Sequence, residues 1–177
     1  MNAPSERAVI AEQIGRDPRG DVDVVVRCEY GLPVVVRTPP LVDDKTPFPT
    51  LYYLVCPMAI RAVGRLEATG TMRSYEEALA SDGALREEYE RAHQRYLAHR
   101  DAIAVLPDRS SAGGMPGRVK CLHALYAQEL ADANPIGARV RAEVEPLGCP
   151  GPCVQPRGDG TFDRAPGHPG FGRKRRH

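Results

Sequence analysis

The sequence predicts an α+β domain: a small, mostly antiparallel sheet of about three strands with several helices packed on one face, followed by a disordered tail. Three observations carry this. Short runs rich in valine and tyrosine lie in the first third of the chain, apolar residues recur at helical spacing through the middle, and Gly, Pro and Arg dominate after residue 147. The expected organisation is one α+β domain over residues 1–147 and a Gly/Pro/Arg-rich disordered tail over 148–177.

At the N-terminus, Ser5 can cap a short helix over residues 6–14, with Val9, Ile10 and Ile14 as its apolar stripe and Gly15 as its stop. Residues 22–28 and 33–37 are valine-rich and flank Glu29-Tyr30-Gly31-Leu32, which reads as a β-hairpin. Residues 38–49 hold four prolines, so they form an extended connection and not a central strand. Residues 50–56 form the third strand. Pro57 then opens a helix that ends near Gly70. Ser74 and Glu77 form a capping box for a short helix. Leu85, Tyr89, Ala92, Tyr96 and Ile103 recur at helical spacing, the strongest helical pattern in the chain. A Gly/Ser/Pro loop follows over 107–117. Val119, Leu122, Tyr126 and Leu130 mark another helix, which Asn134-Pro135 breaks, and a last helix runs over 136–144.

The chain has 24 basic and 23 acidic residues, no Trp and few aromatics. A balanced charge and sparse stacking groups argue against a nucleic-acid-binding face. The first 16 residues lack an apolar signal core, and no stretch approaches the ~20 apolar residues of a membrane span, so the expected location is cytoplasmic. In a reducing compartment, five cysteines read as free thiols or metal ligands.

The cysteines carry the main chemical signal. Cys28 closes the first strand, Cys56 closes the third, and Cys121 with His123 opens a helix behind a glycine-rich turn. Three thiolates and an imidazole are a complete soft-ligand set for zinc or an iron–sulfur cluster. A geometric condition applies. Residues two apart on a regular helix point about 200° from each other, so Cys121 and His123 can share a metal only if Cys121 lies at the N-cap. Two other readings remain open: the cysteines are small buried hydrophobes, or Cys121, beside Lys120 and Arg118, is an activated thiolate of an enzyme acting on an anionic substrate, with His123 as its base. Cys149 and Cys153 sit in the tail with no recognised zinc spacing. Arg16, Arg19 and Arg27 are candidates for an anionic ligand, and Arg173-Lys174-Arg175-Arg176-His177 is a short basic terminus; solvated surface charge accounts for both sets.

Gly15-Arg16-Asp17-Pro18-Arg19-Gly20, Arg27-Cys28-Glu29-Tyr30-Gly31-Leu32-Pro33, residues 47–57, Arg65-Leu66-Glu67-Ala68-Thr69-Gly70, Arg118-Val119-Lys120-Cys121-Leu122-His123-Ala124 and Asn134-Pro135-Ile136-Gly137 together resemble the actinobacterial family catalogued as domain of unknown function five hundred and one. The resemblance covers about residues 6–140. It implies no particular activity. Members are often encoded beside a septum-formation coiled-coil protein and an exopolyphosphatase-like phosphatase, which implies a protein partner in cell division or phosphate metabolism. The functional expectation is therefore a metal-binding accessory or interaction protein using Cys28, Cys56, Cys121 and His123. A purely structural partner of the division machinery, docking through the helix over 85–103, is a further alternative.

Overall fold

The computed structural model describes residues 4–42, 45–106 and 111–172. The basic terminus, 173–177, lies outside them, as does part of the loop over 107–117.

The first helix, α1 (Pro4–Ile14), ends at Gly15, whose φ of +75° is readily adopted only by a residue without a Cβ. Strands β1 (Asp23–Arg27) and β2 (Pro33–Arg37) form the expected hairpin, with Val24 opposite Val36 and Val26 opposite Val35 across a bulge. Its turn is closed by Cys28 N–H donating to Leu32 O and Gly31 N–H to Cys28 O. The proline-rich connection carries a two-residue pairing of β3 (Leu41–Val42) with β4 (Thr46–Pro47), separate from the main sheet. Strand β5 (Tyr52–Leu54) then pairs antiparallel with β2, giving the order β1-β2-β5.

Among the described residues the chain has six α-helices, of which the first and the fifth pack directly on this sheet. α2 (Pro57–Glu67) and α3 (Thr71–Ser81) meet at Gly70, which takes φ +84°. Ser74 and Glu77 lie inside α3, so the expected capping box does not form; the cap is Gly70, four residues earlier. α4 (Gly83–Asp101) is capped by the Asp82 carboxylate, which accepts from Leu85 N–H. α5 (Leu122–Ala131) and α6 (Pro135–Val144) form an antiparallel pair joined by Asn134. The Asn134 side-chain oxygen accepts from the N–H groups of Ile136 and Gly137, and its amide donates to Gln128, whose own amide donates to Ala92 O. All of these groups are buried, so the network satisfies polar atoms that would otherwise be stranded in the core.

The main core joins Val35, Leu54 and Val63 to Tyr89, Tyr96, Leu122, Leu125, Tyr126 and Ile136. The α4 stripe of Leu85, Tyr89, Ala92 and Tyr96 is buried within the molecule. These four residues are therefore spent on this protein's own core, whereas Ile103, the last residue of the expected stripe, lies beyond the end of α4 and is exposed.

Two expectations are corrected. Helices do not lie on one face only: Val36, Val22 and Val55 pack against Ile10 of α1, on the side opposite Val35. That is why β2 is buried on both faces, as a central strand covered by helices must be. Nor is the segment after residue 147 without structure. It forms a hairpin of β6 (Val154–Pro156) and β7 (Phe162–Arg164), with Cys153 and Val154 buried against Val9. Arg164 donates to Glu12 O at 2.7 Å, and Arg61 donates to Pro169 O at 2.8 Å. A sequence poor in apolar residues is held here by hydrogen bonds to main-chain carbonyls, which composition does not report.

Candidate metal and thiol sites

The structure divides the expected ligand set. Cys121 and His123 come together with a residue the sequence reading did not single out, Glu67 at the end of α2. The Cys121 sulfur, a His123 ring nitrogen and a Glu67 oxygen lie within 4.8 Å of one another. Among the described residues no other group of three His, Cys, Asp or Glu side chains is that close, so Cys28 and Cys56 do not join it.

Local chain geometry explains the grouping. Cys121 is the N-cap of α5, with φ −152° and ψ 108°, so the condition for Cys121 and His123 to face one point is met. Glu67 reaches across from α2. Its Oε1 accepts from Leu122 N–H at 2.7 Å, satisfying an N–H that the first turn of a helix leaves free. The same oxygen lies 3.1 Å from His123 Nδ1, while His123 Nε2 lies 3.1 Å from Ile60 O.

Both partners of the imidazole are acceptors, so both ring nitrogens carry hydrogen and the ring is an imidazolium. The His123 pKa rises to about 9, chiefly through its hydrogen bond with Cys121; burial opposes the rise, and Glu67 and Ile60 O add to it. For Cys121, burial pushes the thiol up, but the hydrogen bond with His123 and the Ala124 N–H outweigh it, and the pKa falls below its ordinary value. The group therefore holds the Cys121 sulfur, the His123 imidazolium and the Glu67 carboxyl group in mutual contact. It opens into a cleft of about 340 Å³ lined by Thr50, Tyr53, Ile60, Gly113 and Ala124. Arg118, expected to bind an anion, is paired with Glu76 at 2.7 Å. Of the N-terminal arginines, Arg27 pairs with Glu6 and Arg16 bonds the Tyr53 hydroxyl.

Cys28 and Cys56 line a different cleft, of about 350 Å³, between the β1–β2 turn, the start of α2 and the C-terminal segment. There they meet Cys149 and Cys153, which the sequence had set aside as tail residues, together with Gln13 and His168. Burial holds the Cys56 thiol up at about 11, against hydrogen bonds from Ala59 and Met58 N–H. Burial also raises Cys153, against a hydrogen bond from Gln13.

Neither additional ligand set was legible beforehand, for different reasons. Glu67 is one acidic residue among 23 and is selected only by the docking of α2 on α5. Cys149 and Cys153 are selected only by the return of the C-terminal segment over the cleft.

No helix among the described residues is long and apolar enough to cross a membrane. No curated protein and no solved structure matches the chain. The model of one family, described as protein of unknown function (DUF501), matches residues 24–142. That span contains Cys28, Cys56, Glu67, Cys121 and His123, and it stops before Cys149. With the match covering well over half of its length, the chain belongs to the DUF501 family.

Proposed function

We propose that the protein is a metal-binding accessory protein whose ion, zinc by preference, is held by Glu67, Cys121 and His123. One observation carries this reading. The His123 Nε2–H is tied to Ile60 O, which turns Nδ1 toward Glu67 and Cys121. Metal-bound histidines characteristically donate their second ring N–H to a carbonyl or carboxylate in this way, fixing the ring and its tautomer. Sulfur, nitrogen and carboxylate oxygen together suit borderline-soft Zn²⁺, and a set of three protein ligands would leave a fourth position for water or substrate. Binding would displace the proton from Nδ1.

The test is zinc content and affinity, read by chelator competition, for the full chain and for Glu67→Gln, Cys121→Ser and His123→Ala. Gln at position 67 keeps an oxygen for Leu122 N–H, so that variant separates ligation from folding. Each variant should lose more than the roughly 10–100-fold that removal of an outer-shell partner costs. Cys28→Ser and Cys56→Ser should leave this zinc in place. Unchanged affinity in all three ligand variants would exclude the site.

A second reading is favoured by the lowered Cys121 pKa. Here Cys121 is a nucleophile, with His123 as its partner and Glu67 orienting the ring. Zinc-free protein that alkylates at Cys121 no faster than an unfolded control would remove it. A cytoplasmic location and a partner in cell division or phosphate metabolism remain proposals that co-purification would test.

A further inference from the structure

We infer that the cleft lined by Cys28, Cys56, Cys149 and Cys153 holds an iron–sulfur cluster through these four thiolates, separately from the Glu67–Cys121–His123 group. The first support is convergence. Four of the five cysteines, drawn from the β1–β2 turn, the N-cap of α2 and the C-terminal segment, line one cavity.

The second is what faces the sulfurs. Cys56 receives the Met58 and Ala59 N–H groups at the start of α2. Gln13 Nε2 lies 3.5 Å from Cys153 Sγ, and the same amide donates to Pro33 O at 2.9 Å, which fixes its orientation. His168 Nε2 lies 3.5 Å from Cys149 Sγ. Because Gly170 N–H donates to His168 Nδ1, the ring proton sits on Nε2 and points at the sulfur. His168 is thus placed as a donor to the Cys149 sulfur. Three of the four sulfurs have N–H donors facing them, which a cluster's thiolates would accept from; as a thiol, Cys149 also donates its S–H to Gly151 O at 3.3 Å. Donors to sulfur are also what tunes cluster potentials. Gln13 is buried, and its Oε1 has no hydrogen-bond partner, so this wall carries an unsatisfied polar atom.

The third is spacing. A single tetrahedral zinc with Zn–S of 2.3 Å holds its sulfurs about 3.8 Å apart. Among the described residues, no three ligand atoms of this cleft come within 4.8 Å of one another. A cluster places iron and sulfide between its thiolates and holds them farther apart. The segment bearing Cys149, Cys153 and His168 closes the cleft, anchored by Tyr30 donating to Cys149 O and Arg61 to Pro169 O.

The experiment is anaerobic purification of the full chain, then reconstitution with ferrous iron and sulfide, with iron, sulfide and zinc analysis and an absorption spectrum. The expected result is matched iron and sulfide with a broad visible band that dithionite bleaches. Cys56→Ser and Cys153→Ser should each lose it almost entirely, and Cys121→Ser should retain it. His168→Gln, which leaves every thiolate in place, should keep the cluster and shift its reduction potential. A folded, reconstituted wild-type chain without iron and sulfide would overturn the inference, whatever the variants do. So would stoichiometric zinc that Cys153→Ser removes, or a cluster that survives both Cys56→Ser and Cys153→Ser. Zinc lost on Cys121→Ser with an intact cluster speaks to the other site alone, so the two readings fail independently.

Discussion

Replacing Gly137 by alanine should destabilise the protein, although the same change in an ordinary helix stabilises it. Gly137 lies in the first turn of α6, where that helix crosses α5. A Cβ built there would stand 2.2 Å from Leu125 O, 2.6 Å from Glu129 Cβ and 2.9 Å from Leu125 C. To restore an ordinary contact of 3.4 Å, α6 must back away from the α5 main chain. That movement loosens Ile136 and Val140, both fully buried, and strains the Asn134 cap. Alanine gains about 1 kcal/mol of helix propensity over glycine. Overpacking a tight site costs about 1–3 kcal/mol or more, and a clash with main chain belongs at the upper end. The net expectation is a loss of about 2 kcal/mol, a fall in Tm of roughly 4–8 °C for a chain of this size. Gly64→Ala is the matched control. Its Cβ would meet only His123 ring atoms at 3.9 Å, an ordinary contact, so the propensity gain should stand and stability rise by about 0.5–1 kcal/mol. Urea unfolding of the full chain and both variants measures this. Equal or higher stability for Gly137→Ala would refute the close helix crossing.

Asn134→Ala should lose about 2–4 kcal/mol, because it removes the α6 cap and leaves Gln128 Oε1 buried without its donor; urea unfolding measures it. Tyr96→Phe should cost about 1–3 kcal/mol, since the buried hydroxyl donates to Pro49 O and accepts from Leu51 N–H, and thermal unfolding reports the loss. In metal-free protein at neutral pH, iodoacetamide should modify Cys121 well before Cys56, because one thiol pKa is lowered and the other stands at about 11; mass spectrometry of timed samples decides the order.

Much of the fold is legible in the sequence because it is encoded locally. The valine runs around Glu29-Tyr30-Gly31-Leu32 specify the hairpin, and the spacing of Leu85, Tyr89, Ala92 and Tyr96 specifies α4. The glycine turn before Cys121 makes a non-helical backbone there possible, and the structure has Cys121 as the N-cap of α5. The start of α3 departs from the Ser74–Glu77 pattern because Gly70, at φ +84°, starts the helix without offering a capping side chain. The burial of Val36 against Ile10 of α1 is not legible in the sequence, because a strand does not record what covers its second face.

Which thiols meet is a different kind of information. Cys28, Cys56 and Cys121 are marked in the sequence as residues at element ends, where side chains can converge. Their partners are set by packing between distant segments. Docking of α2 on α5 brings Glu67 to His123, and main-chain hydrogen bonds from Arg61 and Arg164 hold the C-terminal segment, with Cys149 and Cys153, against the other cleft. Sequence alone thus determined the elements and the chemical character of their ends. Only the tertiary structure could assign those ends to two separate sites, because contacts between distant segments leave no periodic trace in the chain.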